Sequence, residues 1–441
     1  MAMVVKNNMS AISTLNTLNK NSSALSKSLE KVSSGMKINS AADDASGYAI
    51  SERMRVQIRS LDQANSNTQA GNSMLKVAEG AVSSTVDILK TLKEKVINAA
   101  NDTNTDSDRQ TIQKELNQSI DQIDDNANVT FNGKYLVDGS KNTKGDATCT
   151  HLTNQLLATG TNKNTKFTEM SNRNGESLEI LGTDRITMSY THQGTTFTCT
   201  MKVSDAQDLE TLAGNVTNAA KVSGAHGSFT FDNATSVIGT NAGGNTVYTA
   251  DGTDGLTMIA GGNGLSGQIS GLSIRITDNE GNVKKSAIAA LDGFDEKIKA
   301  QNASEDNALT FQVGAKANQS IKVGLGDMRA EALGLKGSDG TKLNISTQEK
   351  ANAAISVLDN AVSKALDQQT TIGSIESRLS YTSTNLTTAS ENVQASESTI
   401  RDADMAKEMT NYTKNNVLLQ AAQSMLAQAN QSSSSVLSLL Q

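Results

Sequence analysis

Residues 32–54 read VSSGMKINSAADDASGYAISERM, and this stretch decides how the chain folds. Gly35 follows a run of apolar residues at helical spacing and suits the left-handed conformation that closes a helix. Asn39 favours a turn, because short polar side chains bond back to the local backbone. Asp43 or Asp44 can then cap the next helix by accepting hydrogen bonds from its free N–H groups. The stretch therefore predicts a terminal helical arm joined by a short loop to a long second helix.

The composition favours long helices over one large core. The chain has 441 residues, which suggests two to four domains, and it contains no proline. Aromatic residues make up 3% of the sequence, which fits thin helical packing. The formal charge of −7 argues against nucleic acid as a partner. The sequence contains no run of about 18 apolar residues, so it predicts no membrane span. The N-terminal MAMVVKNNMSAIS lacks an apolar stretch of signal-peptide length, so we expect no cleaved Sec signal.

Both ends of the chain carry narrow apolar stripes at helical spacing, and such helices need partners to be stable in water. The stripe of the first segment contains Val5, Met9, Ile12, Leu15, Leu25, Leu29 and Val32. The last segment, 402–441, has two stripes. One contains Met405, Met409, Tyr412, Leu419 and Leu426, and the other contains Leu418, Ala422, Met425 and Ala429. An apolar tail with Val436, Leu437 and Leu440 follows. A helix with two apolar stripes must contact two neighbours, so these residues are predicted self-assembly seams.

Between the ends, the pattern predicts more helices on either side of a different middle segment. The second helix is predicted over about 44–100, roughly 80 Å at 1.5 Å per residue. A third helix places Ile112, Leu116, Ile120 and Ile123 on one face. Asn132-Gly133 is the strongest hairpin signal in the chain. The helical pattern is expected to return from about Asn307 and to continue through Ile400.

The middle segment, 141–303, is rich in Gly, Thr, Asn and Ser and has short alternating strands. The clearest pair covers 186–192 and 197–203, joined through Gln193-Gly194. Their alternation predicts one buried face with the residues Ile186, Met188, Tyr190, Phe197, Cys199 and Met201. A short helix is expected over 205–220, and further strands at 228–231, 246–249 and 272–277. The strand order stays open. The predicted fold is α+β and multidomain, with long terminal coiled-coil helices and a short hairpin around an inserted β-rich domain.

Several of these stretches resemble the conserved ends of bacterial flagellins. The N-terminal signature is Ser33-Ser34-Gly35, Ile38-Asn39, Ala42-Asp43-Asp44-Ala45 and Gly47. The C-terminal run IRDADMAKEMTNYTKNNVLLQAAQSMLAQAN is similar to the other end of that family. The resemblance covers roughly 1–140 and 305–441. It implies three domains: an inner coiled coil of 1–43 with 401–441, a helical rod of 44–140 with 304–400, and an outer domain of 141–303 that faces the medium.

The resemblance also implies a function and partners. We expect a structural subunit that polymerises through its terminal helices into the extracellular flagellar filament, the helical propeller for swimming. The implied partners are other copies of the chain, an export chaperone, the filament cap and the hook-junction proteins. Export would use the type III flagellar route. We expect the chain ends to be unfolded in the lone subunit and helical in the polymer. A hook–filament junction protein is the structural alternative.

Flagellins that stimulate the vertebrate Toll-like receptor carry an Arg and, four residues later, a Leu in the first rod helix, with a Glu on the next helix. The matching positions here are Thr91, Lys95 and Glu115. Thr cannot form the bidentate contacts of Arg, and Lys places a solvated cation where apolar contact is needed. We therefore expect weak contact with this receptor.

A search for catalytic or metal chemistry in the middle segment gives weak candidates. The histidines are His151, His192 and His226, and no zinc-protease, nucleophile-elbow or P-loop motif lies in a suitable context. A zinc site from Cys149, His151, His192 and Cys199 conflicts with the hairpin, which separates His192 from Cys199 by roughly 13 Å along the strand at ~3.3 Å per residue. A Cys149–Cys199 disulfide and a buried unpaired Cys199 are both open. We expect no enzyme activity and no cofactor.

Overall fold

The computed structural model describes residues 8–204, 208–222, 228–232, 235–250 and 252–439. The helices are α1 (Met9–Ser34), α2 (Ala45–Ala99), α3 (Asp106–Ala127), α4 (Leu209–Val222), α5 (Lys285–Leu291), α6 (Gln348–Arg401) and α7 (Met405–Leu439). The strands of the N-terminal half are β1 (Thr130–Phe131), β2 (Lys134–Tyr135), β3 (His151–Asn154), β4 (Arg185–His192) and β5 (Thr195–Lys202). The remaining strands are β6 (Phe229–Phe231), β7 (Val237–Thr240), β8 (Thr246–Tyr248), β9 (Leu256–Ala260), β10 (Ile269–Thr277), β11 (Phe294–Ile298), β12 (Leu309–Gln312) and β13 (Ser320–Val323).

The loop between α1 and α2 has the predicted capping chemistry. Gly35 ends α1 in the left-handed conformation, with φ of 70°, and its N–H bonds back into the last turn. Asp44 caps α2 by accepting hydrogen bonds of 3.0 Å from two N–H groups of the first turn. Asp43 closes the loop by accepting from the backbone N–H groups of Asn39 and Ser40, each at 3.2 Å. The predicted helix stop, loop and helix start are confirmed.

The chain divides into two compact units. The first contains the described residues of 8–68, 312–319 and 381–439. In it, α1 packs antiparallel to α7: the Asn8 side chain donates to the Ala429 carbonyl and the Asn21 side chain to the Leu418 carbonyl, both at 3.2 Å. A small apolar cluster of Leu61, Ala64 and Leu386 joins α2 to α6 in the same unit.

The second unit contains the described residues of 69–311 and 320–380. Its helices bury apolar faces, with Leu116, Ile120 and Ile123 of α3 buried as predicted. The buried face of α2 includes Leu75, Val82, Leu89 and Val96. A reciprocal capping box of Thr105 and Asp108 starts α3. The Asn132-Gly133 turn joins β1 to β2, and both residues have positive φ, as this type of turn requires.

Two of the sheets in the middle segment share one core. Their strand orders are β10-β4-β5 and β11-β3-β9-β6, and all their pairs are antiparallel. The β4–β5 hairpin turns at Gln193-Gly194 as predicted. Of its predicted buried face, Ile186, Met188, Tyr190 and Phe197 are buried, and Cys199 and Met201 pack half-buried against the same core. The helices α4 and α5 cover this core. α4 begins at Leu209, and residues 205–207 of the predicted helix lie outside the described residues.

The expected return of helix near Asn307 is wrong. The segment 309–323 contains the antiparallel strands β12 and β13, and α6 begins only at Gln348. Leu309, Ile321 and Val323 are buried and alternate with exposed neighbours, which is strand rather than helix periodicity. Over the described residues, no helix combines the length and the apolarity that a membrane crossing needs.

Candidate self-assembly surface

The contact between α1 and α7 is a coiled-coil seam with alternating steps of three and four residues. On α1 the seam residues are Ala11, Thr14, Leu18, Asn21, Leu25, Ser28 and Val32. On α7 they are Glu408, Tyr412, Asn415, Leu419, Ala422, Leu426 and Ala429. Only Ser28 is buried in α1, which is described throughout, and among the described side chains of α7 only Ala422 and Ala429 are. The seam is therefore thin, and small and polar residues hold much of it.

Asparagine side chains supply the cross-helix hydrogen bonds of the seam. Besides Asn8 and Asn21, the Asn415 amide donates to the Ser28 hydroxyl at 2.9 Å and to the Ala24 carbonyl at 3.4 Å. Buried apolar area and these bonds together stabilise the pair only modestly, because a typical hydrogen bond contributes about 1 kcal/mol net.

Large apolar side chains outside this seam are exposed in the single chain. We call this set the flanking surface: Met9, Ile12, Leu15, Leu29, Met405, Met409, Leu418 and Met425. At 100° per residue, Met405 and Met409 lie on one side of the α7 seam, and Leu418 and Met425 lie on the other. Exposed apolar groups of this kind mark a surface that binds another protein surface. The arrangement lets α7 contact more than one neighbour.

The structure groups the predicted seam residues differently from the sequence stripes. Leu25, Val32, Tyr412, Leu419 and Leu426 lie in the α1–α7 seam. Ala422 and Ala429 lie there too, and the eight other described residues of the predicted stripes are the members of the flanking surface. Val5 and Leu440 lie outside the described residues, as do the side chains of Val436 and Leu437. The stripe assignment of α7 thus changes: Ala422 and Ala429 share the seam with Tyr412 rather than with Leu418.

Arg401 is a buried residue of the first unit that sequence reasoning missed. Its side chain is 6% exposed and donates to Glu52 at 2.6 Å, with the guanidinium 5.3 Å from the centre of the Tyr48 ring. The hydrogen bond from Arg401 lowers the pKa of Glu52. The backbone joins the same region, since the Lys37 N–H donates to the Arg401 carbonyl and the Ala403 N–H to the Gly35 carbonyl, at 2.7 and 2.9 Å. Arg401 therefore ties the α1–α2 loop to the α6–α7 junction, although its spacing gave no signal.

The three receptor-matching positions lie in the second unit, on α2 and α3. Lys95 and Glu115 form an ion pair of 3.1 Å across these helices. The Thr91 hydroxyl donates to the Asp87 carbonyl of its own helix at 3.0 Å. The carboxylate of Glu115 is thus already engaged by a cation of its own chain.

The cysteines and histidines of the middle segment divide into separate sites. Cys149 Sγ lies 3.2 Å from His151 Nε2, and His151 Nδ1 lies 2.9 Å from the Ile238 carbonyl. Burial lowers the pKa of His151 and raises the pKa of the Cys149 and Cys199 thiols. Both cysteines are free thiols in this structure, and their disulfide stays a prediction.

The four proposed zinc ligands do not assemble into a metal site. His192 Nδ1 instead contacts the Gln268 carbonyl at 3.0 Å. No group of three or more possible ligands is arranged for a metal ion within the described ranges, which omit His226.

Comparison with known proteins identifies the family. Residues 5–142 match the model of the bacterial flagellin N-terminal helical region, and residues 355–440 match that of the C-terminal helical region. A flagellin of Clostridium tyrobutyricum is 35% identical over 97% of this chain and 99% of its own length. A flagellin of Bacillus subtilis is 30% identical over 99% and 100%. The flagellar junction protein FlgL from Legionella pneumophila shares 14% identity over 80% of this chain and 99% of its own, with a TM-score of 0.34. The chain therefore belongs to the bacterial flagellin family, the structural subunits of the flagellar filament.

Proposed function

We propose that this subunit polymerises through the flanking surface, with the α1–α7 pair of each copy packed against the pairs of its neighbours. The observation that supports this is that large apolar side chains outside the α1–α7 seam remain exposed in the single chain. Met9 is 70% exposed and Met425 is 62% exposed. Burying one such side chain contributes roughly 1.5–3 kcal/mol. A lattice that covers them all supplies the stability that the isolated pair lacks.

A charge placed on the flanking surface tests this mode of assembly. Ile12→Asp should abolish or strongly reduce polymer, because an unpaired carboxylate cannot be buried cheaply. Thr17→Asp adds the same charge to an exposed position of the same helix that has no flanking-surface residue three or four positions away, and it is the matched control. Pelleted mass and electron microscopy after seeding measure the outcome. If Ile12→Asp polymerises as well as Thr17→Asp, this surface is not the assembly interface.

We infer the domain organisation of the chain from the family. The inner coiled coil is 1–43 with 401–441, the rod is 44–140 with 304–400, and 141–303 is the outer domain. Export without a cleaved signal peptide, an export chaperone, the filament cap and hook-junction proteins as partners, and an extracellular location belong to this proposal. Growth of long helical polymers from seeds separates a filament subunit from a junction protein, which would stop after a short segment.

We propose that the outer domain is structural rather than catalytic. Its Cys149–His151 contact lacks an activated nucleophile, because burial raises the pKa of the thiol. A peptidase assay of the full chain with and without zinc is the test. Zinc-dependent turnover would overturn the proposal.

We also propose that the chain activates the Toll-like receptor weakly. Lys95 replaces the apolar contact and holds Glu115, and Thr91 offers no guanidinium fork. The double variant Thr91→Arg, Lys95→Leu should raise the reporter-cell response, whereas Lys90→Leu, which removes a neighbouring exposed lysine, should not. A wild-type response equal to that of an Arg/Leu-bearing flagellin would contradict this.

A further inference from the structure

Methionine is distributed unevenly between the two units. Among the described residues, the exposed methionines are Met9, Met405, Met409 and Met425, all in α1 and α7 and all on the flanking surface. The methionines of the second unit are different. Met74, Met170, Met188, Met258 and Met328 are buried, and Met201 is half-buried against the core.

From this distribution we infer that the flanking surface is an oxidation site that controls assembly. This inference rests on the proposed function. Hydrogen peroxide transfers one oxygen atom to the thioether sulfur: the sulfur loses two electrons, the O–O bond breaks, an S=O bond forms, and water leaves. Susceptibility follows exposure, so the four flanking methionines react before those of the folded core.

The product changes the surface that must be buried. A sulfoxide is polar and chiral, and it keeps little of the thioether's apolar character. Buried against a neighbour it needs a hydrogen-bond donor, and the flanking surface of the partner copy offers apolar groups instead. Oxidised subunits therefore do not join the lattice. Subunits already in the lattice have these sulfurs covered and resist the oxidant.

The experiment uses the full chain and hydrogen peroxide. Reduced and peroxide-treated subunits are seeded, the polymer is pelleted, and peptide mass spectrometry reports the sulfoxide at each methionine. We expect the critical concentration to rise at least about tenfold after oxidation of the four sites, since the loss of even one of these apolar contacts changes an equilibrium constant by roughly a factor of ten. Polymer treated with the same dose should acquire less sulfoxide at Met9, Met405, Met409 and Met425 than free subunit.

A quadruple variant keeps the inference falsifiable. Met→Leu at positions 9, 405, 409 and 425 preserves the apolar surface, so the variant should polymerise before and after peroxide. Met188→Leu with Met258→Leu changes buried methionines and should stay as sensitive as wild type. If oxidised wild type assembles normally, or if the quadruple variant loses assembly on oxidation as wild type does, the inference is overturned. Failure of the untreated wild type to polymerise would instead refute the proposed function.

Discussion

Glu296 and Lys364 are charged residues whose side chains are buried in the second unit. Their side chains are 4% and 7% exposed and form an ion pair of 3.2 Å between β11 and α6. Burial raises the pKa of Glu296, and Lys364 opposes that shift. The two charges tolerate burial because each is the other's partner.

Removing one partner of this pair should be costly. We expect Glu296→Gln to lower the free energy of unfolding by about 3–5 kcal/mol, because it leaves the Lys364 ammonium buried and unpaired. Asp306→Asn is the matched control: it breaks the Lys322–Asp306 pair, whose side chains are 59% and 45% exposed, and should cost about 0–1 kcal/mol. Urea unfolding followed by circular dichroism compares them. Equal losses would show that the burial of the first pair has no energetic consequence.

Tyr190 gives a prediction for alkaline solution. Its ring is fully buried between Phe197 and Phe229, and burial raises the pKa of its phenol to about 12. An ordinary tyrosine ionises near pH 10, so the folded state favours the neutral phenol. The stability from this group is complete below about pH 10 and is lost as the pH rises through about 12.

Substitution of Tyr190 should therefore move the alkaline unfolding transition. Tyr190→Phe removes the ionisation, and unfolding should begin at higher pH than in wild type. Tyr248→Phe, at an exposed ring, should leave the transition in place. Tyrosinate absorbance and circular dichroism, recorded together, report both events. An unchanged transition in Tyr190→Phe would show that another group controls alkaline unfolding.

Among the elements, α2 contains two glycines whose surroundings differ. A Cβ on Gly71 would lie 2.9 Å from the ring of Phe311, whereas a Cβ on Gly80 would meet nothing within 4 Å. We expect Gly80→Ala to stabilise the chain by about 0.5–1 kcal/mol through helix propensity. The free energy of unfolding of Gly71→Ala should be about 1–3 kcal/mol lower than that of Gly80→Ala, because the Phe311 ring must shift. Thermal unfolding of the pair measures this. If both variants gain the same stability, the Phe311 ring moves without an energetic cost.

The elements also show what periodicity and turn chemistry determine. The helix ends at Gly35 and Asp44 and the turn at Asn132-Gly133 depend on interactions with residues nearby in the sequence. The sequence therefore predicted them correctly. In the strand order β11-β3-β9-β6, β3 pairs on both sides with strands more than a hundred residues away, and no local pattern encodes that choice. The hairpin of β12 and β13 was missed because the surrounding stretch was assigned as a whole to the helical ends.

On the scale of the whole molecule, the candidate assembly site was only partly predictable. Apolar positions in α1 and α7 were recognised from their spacing. The division of these positions into seam and flanking surface was not predicted. Adjacent apolar stripes on one helix have the same period, so only the position of the partner helix shows which stripe lies in the seam. Arg401 and the Lys95–Glu115 pair were missed for a related reason: contacts between distant residues leave no local signature.

Dilute subunit should lose its ends to a protease while the second unit survives. The α1–α7 seam buries few side chains, and ordering each residue costs about 1–2 kcal/mol, so the pair should open often in the monomer. Brief trypsin treatment with mass spectrometry should remove segments before about residue 44 and after about residue 401, and seeded polymer should resist. A monomer with intact ends under these conditions would refute folding coupled to assembly.

The two strands of chain that enter and leave the middle domain touch each other. Gly145 and Ser304 exchange backbone hydrogen bonds of 3.1 and 2.9 Å, and the Thr148 N–H donates to the Gln301 carbonyl at 3.1 Å. The segment between them also contacts α6, through the Glu296–Lys364 pair and through the hydrogen bond from the Asn360 side chain to the Ser270 carbonyl. A foreign module whose own ends lie side by side could therefore be grafted at residues 145 and 304 once the α6 side chains that lose their cover, Lys364 first among them, are replaced as well.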